Sequence, residues 1–202
     1  MHIPDGILTA PVWGITDLWS ASWLIIALRR VTGELEDRVV PLMGVLAAFV
    51  FAIQMINIPI GGGTSAHFLG GALVGLIVGP WAGFVIISLV LMVQCLLLQD
   101  GGFLALGANM FTMAFLATFV TSVVARRVPT VSRFWLGFGS GWCSVFLSSL
   151  ACASFLSLSH VVPWKVSLLL LGGTHLILGL IEGLVTGTVL QALHQSRPDL
   201  IP

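Results

Sequence analysis

The chain has 202 residues, of which 57% are hydrophobic and only 8% charged, and its 8 basic and 8 acidic side chains cancel. Soluble domains usually carry about 25% charged residues, so a water-soluble globule is excluded, as is disorder at this hydrophobicity. No basic excess exists to displace phosphate counterions, which removes nucleic acid as a partner.

A helix needs about 20 mostly apolar residues to cross the hydrocarbon layer. From Val39 to Gln99 there is no Asp, Glu, Lys or Arg, which is room for three passes. Asn57, Pro59, Gly61-Gly62-Gly63 and Gly79-Pro80 divide that stretch. The pattern predicts helices over 13–29, 40–57, 65–78, 80–98, 104–125, 134–158 and 166–193, an all-α bundle of seven transmembrane helices in one integral membrane domain spanning 1–202. With seven crossings, Arg29, Arg30, Arg38, Arg126, Arg127, Arg133 and Arg197 share one side and Lys165 takes the other. A single crossing through 65–98 would instead split them evenly. Cytoplasmic loops hold the excess of Lys and Arg, so the N-terminus is expected outside and the C-terminus inside the cell.

Residues 1–12 carry Asp5, Pro4 and Pro11 and lack a basic start, so they read as a retained segment rather than a signal peptide. Cys95, Cys143 and Cys152 sit in apolar runs and read as small buried hydrophobes. Gly71, Gly75 and Gly79, and likewise Gly179, Gly183 and Gly187, recur every four positions. Such faces let helix backbones approach closely in lipid. Ala48 and Ala52 form a further pair, the one expected to dock a partner membrane protein if any such face does.

Chemistry points to the N-terminus. A His in position two offers its Nδ1, its own backbone nitrogen and the α-amine of Met1, which close two fused chelate rings on one cation. Three nitrogens in a plane suit Ni(II) or Cu(II), whose geometric preferences Zn(II) lacks. His67, after the Gly-rich run and on the same outer side, is the candidate fourth nitrogen. Asp5, Thr64, Ser65, Asp100 and Asn109 are candidates to orient the ligands or fix the loop. His160, in an outer loop, and His175, mid-helix, read as structural or interfacial. Glu182 lies about 25 Å of helix rise from Lys165. That places it far from the N-terminal pocket, as a pairing or partner-contact residue. No G-x-x-x-x-G-K-[ST], H-E-x-x-H or G-x-S-x-G occurs, so neither P-loop hydrolysis of ATP nor a hydrolase site is legible.

The opening Met1-His2-Ile3-Pro4-Asp5-Gly6, the run Pro41 to Val50, Gly61-Gly62-Gly63-Thr64-Ser65-Ala66-His67 with Gly70-Gly71-Ala72-Leu73, and Gln99-Asp100-Gly101-Gly102 with Gly107-Ala108-Asn109 resemble the nickel/cobalt substrate-binding subunits of energy-coupling factor transporters. The resemblance implies a prokaryotic multi-pass plasma-membrane protein whose N-terminus enters the bundle and binds metal through Met1, His2 and His67. It also implies a transmembrane scaffold subunit, cytoplasmic ATPase subunits and a small transmembrane accessory subunit. The last is expected as a separate chain, since the sequence stops at Pro202. Pro4-Asp5-Gly6-Ile7-Leu8 is more similar to the nickel members, so Ni(II) is the expected substrate and Co(II) the alternative. Readings of a different class are a membrane enzyme with a structural metal and a scaffolding membrane subunit.

Overall fold

A computed structural model describes residues 2–34, 39–56, 58–61, 64–127 and 130–200. The elements in order are α1 (Ala10–Glu34), α2 (Val39–Gln54), a β1 (Ile58–Gly61) and β2 (Thr64–Ala66) hairpin, α3 (Gly71–Leu98), α4 (Leu106–Arg127), α5 (Arg133–Leu158) and α6 (Trp164–Ser196). Five of these helices are long and apolar enough to cross a membrane, and α2 has a shorter apolar run. The fold is therefore a helical membrane bundle, as the composition requires.

The expected helix over 65–78 begins late. Residues 64–66 instead pair antiparallel with 58–61, with Ile58 opposite Ala66 and Pro59 opposite Ser65. Gly70 then adopts φ 69° and starts α3, a left-handed backbone that glycine takes without steric cost. The anticipated break at Gly79-Pro80 is present: Gly79 has φ 81° and ψ 167°, a region open essentially to glycine alone. The chain reverses there. A Cβ on Gly83 would lie 3.3 Å from the Cα of Gly75, whereas eight residues of straight helix would separate the two by about 12 Å. Thus 71–78 is a short arm folded back against 80–98.

Glycines bring the arms and helices together. Gly71 and Gly75 abut Ala117 and Thr118 of α4, and Gly83 abuts Thr118 from the second arm. On the other side, Gly179, Gly183 and Gly187 of α6 meet Trp142, Phe138 and Phe134 of α5, while Gly137 and Gly141 reciprocate. Gly71 and Gly75 of the first glycine series and all three members of the second are thus used inside the molecule, while Gly79 marks the reversal. The α2 face of Gly44, Val45, Ala48, Phe49 and Ala52 is exposed. An aromatic ladder of Trp19, Trp23, Trp81, Phe115 and Phe119 joins α1 to α3 and α4, and the Arg30 guanidinium lies 4.6 Å from the Trp81 ring centre. A separate small core of Ile3, Leu8, Ala105, Ala108 and Cys152 seats the N-terminal segment in the bundle.

Candidate metal-binding site

The segment at residues 2–5 is held by backbone pairing and two side chains. Ile3 donates its N–H to Asn109 Oδ1 at 2.8 Å, and Asn109 Nδ2 returns a bond to the Ile3 carbonyl at 3.1 Å. The Gly102 N–H donates to the same carbonyl at 2.8 Å. The Asp5 carboxylate accepts the N–H groups of Phe103 at 3.0 Å and Leu104 at 2.7 Å, just before α4 begins, where a negative charge is favoured. Gly102 has room for no side chain, because an added Cβ would fall on the Asp5 carboxylate and backbone nitrogen. Asp5 and Asn109 therefore act as clamps for the segment that carries His2.

These clamps insert the His2 side chain until only 6% of it is exposed. Its Nε2 bonds Gln94 Oε1 at 3.2 Å. The other ring nitrogen, Nδ1, is the one an N-terminal chelate requires. Gln94 was not legible as a site residue: it lies in an uncharged run, and only the fold brings it to His2. Asp100 Oδ1 stands 3.3 Å from Nδ1. Burial pushes the His2 imidazole down from its ordinary 6.5 to about 4, with Asp100 and Gln94 opposing the shift.

His67 stacks on His2, with ring centres 4.7 Å apart and planes 25° from parallel. Its Nδ1 meets the Phe68 carbonyl at 2.9 Å, which fixes Nδ1 as the protonated nitrogen and directs the lone pair to Nε2. Lone pairs lie in the ring planes, so two stacked rings do not aim at one point. A shared cation requires one ring to swing edge-on. Met1 lies outside the described residues, as do the side chains of Thr64 and Ser65, whose backbones form β2. Among the described residues, no three His, Cys, Asp or Glu side chains are gathered as a metal cage.

Glu182 is a correction. It is buried rather than turned outward to a partner, and its carboxylate accepts the N–H groups of Leu69 at 3.0 Å and Gly70 at 2.8 Å. Gln54 holds the same residue from the other side, its Nε2 donating to the Leu69 carbonyl at 2.8 Å. The hairpin thus carries His67 far along α6, so Glu182 lies beside the histidine pair instead of remote from it. His175 is buried nearby, while His160 is exposed, with φ 59°.

The fold is thus a helical membrane bundle in which Asp5 and Asn109 clamp the N-terminal segment and the His2 and His67 imidazoles are in contact. Residues 2–200 match the family described as the cobalt uptake substrate-specific transmembrane region. The chain belongs to that family. It is 39% identical over its whole length to a protein of Archaeoglobus fulgidus that carries the provisional name of a fused nickel transport protein, covering 68% of it. It is 32% identical, again over its whole length, to a cobalt transport protein of Sorangium cellulosum, covering 94% of that protein. The crystal structure of a truncated transition metal transporter superposes with a TM-score of 0.91 at 32% identity, over 97% of this chain and 99% of the other.

Proposed function

We propose that this protein is the substrate-capture subunit of an ATP-driven importer and takes Ni(II) from outside the cell in a square-planar nitrogen site. The Met1 amine, the His2 backbone nitrogen, His2 Nδ1 and a ring nitrogen of His67 are the ligands. The observation that carries this reading is the contact of the His2 and His67 rings, 65 positions apart in sequence, at 4.7 Å. The Gln94 contact supports it by holding the His2 ring at Nε2, away from the chelating Nδ1.

In this reading the bundle crosses seven times, with 65–78, its first residues extended, and 80–98 as separate passes divided by the reversal at Gly79. It is supported by the placement of charge. Arg29 and Arg30 end α1, Arg126 and Arg127 end α4, Arg133 begins α5 and Arg197 follows α6, whereas Lys165 stands at the opposite end of α6. Because cytoplasmic ends hold the excess of Lys and Arg, this distribution supports an N-terminus outside and a C-terminus in the cytoplasm. The energy comes from cytoplasmic ATPase subunits through a transmembrane scaffold that docks on the exposed Ala48 and Ala52 face of α2, with a small transmembrane accessory subunit. Co(II) transport is the second reading, favoured by the family's description; a planar site with a displaced amide proton favours Ni(II).

Calorimetry tests the ligand set. His2→Ala and His67→Ala should each remove tight Ni(II) binding, and one residue added before Met1 should be as damaging as losing His2. Wild-type affinity in all three would end the proposal.

A further inference from the structure

We infer that His67 is shared between two cation stations, and that His67 and His175, beside Glu182, form an inner station to which the captured ion passes. The inference rests on the proposed role in metal capture. A cavity of about 10 Å³ is bounded by His67, Leu69, Val145, His175 and Glu182. That is the size of one water or one cation stripped of most of its water. It opens beside the ring that stacks on His2, so one imidazole borders both places.

The chemistry of the lining fits a transition metal. The Nδ1 of His175 lies 2.9 Å from the Leu171 carbonyl, as that of His67 lies 2.9 Å from the Phe68 carbonyl. A carbonyl cannot donate, so both Nδ1 atoms carry hydrogen and both Nε2 atoms keep lone pairs. Backbone bonds of this kind are how ligating histidines are oriented. No described residue hydrogen-bonds the Nε2 of His175. His175 and Glu182 are seven positions apart on α6 and so share a face about 10 Å along it. Glu182 supplies negative charge deep in an apolar span, where an ionisable side chain is expensive and marks a cation path. Its oxygens already accept two amides, so it attracts the ion electrostatically while the two imidazoles provide the bonds. Two nitrogens without a third side-chain ligand give a weak hold, which suits a stage that must release.

The test uses the purified full-length chain in detergent and Co(II) alone as the probe, read by its visible absorption. Three proteins are compared: His2→Ala, His2→Ala with His175→Gln, and His2→Ala with His160→Ala. The first has lost the outer chelate and should still bind Co(II), weakly and at one equivalent. Adding His175→Gln should weaken that binding by about tenfold or more and shift the absorption, whereas adding the exposed His160→Ala should change neither. The thermal midpoint of each variant verifies the fold. The inference is overturned if His2→Ala binds no Co(II), or if His175→Gln leaves its titration and spectrum unchanged. Wild-type Ni(II) affinity in His2→Ala would defeat the outer chelate instead, and the cobalt comparison would still decide the inner station.

Discussion

Replacing Gly102 by Ala attacks the site without touching a proposed ligand. A Cβ there would lie 2.7 Å from Asp5 Cγ, far inside contact distance, and would also fall on the Asp5 backbone nitrogen. Relief requires residues 2–5 to lift away from 101–104. Lifting weakens the Gly102 bond to the Ile3 carbonyl and the two amide bonds to the Asp5 carboxylate. Overpacking of this kind costs about 1–3 kcal/mol. Because the cost falls on the conformation that holds His2 against His67, it appears in metal affinity as a loss of about 5- to 150-fold. Titration calorimetry with Ni(II) on the purified protein reads the affinity directly. Gly14 serves as a control, since a Cβ there would meet nothing within 4 Å; Gly14→Ala should bind as the wild type does. Unchanged affinity in Gly102→Ala would show that the seating of the N-terminal segment has no part in binding.

Three other perturbations probe different links. Gln94→Leu removes the side chain that holds the His2 ring at Nε2, and calorimetry should find Ni(II) affinity lowered by about 10- to 100-fold. Lowering pH should unseat the N-terminal segment: His2, held at about 4 against an ordinary 6.5, binds fewer protons when buried. Its contribution is therefore fully present above pH 6.5 and fades between 6.5 and 4, by up to about 3 kcal/mol. In the protein without metal, the exchange protection of the Ile3 amide, bonded to Asn109 and referred to the free-peptide rate at each pH, should fall as pH drops through that interval; constant protection would contradict it. Gly79→Ala places a side chain on a backbone with φ 81° and ψ 167° and should destabilise the bundle by about 1–3 kcal/mol, visible as a lower midpoint in thermal unfolding.

The helices were legible because long uncharged runs and their breakers are local properties of the chain. The break at Gly79-Pro80 was legible for the same reason. The hairpin at 58–66 was not: Thr64, Ser65 and Ala66 are as acceptable at a helix start as in a strand, and their pairing with 58–61 decides the matter. His2 and His67 could be named from position and residue type. Gln94, Gln54 and Glu182 could not be placed, because each is a polar side chain in an apolar helix whose partner lies 15 to 113 positions away. Helix rise alone set Glu182 apart from the N-terminal pocket, and that arithmetic failed because the chain after the hairpin reaches far along α6 to meet it.

Metal analysis with absorption spectroscopy on the full-length chain loaded with Ni(II) addresses the coordination directly. The account predicts one nickel per chain in a yellow, diamagnetic, four-nitrogen planar environment, lost when the α-amine is acetylated. A paramagnetic six-coordinate nickel, or a spectrum indifferent to acetylation, would contradict it.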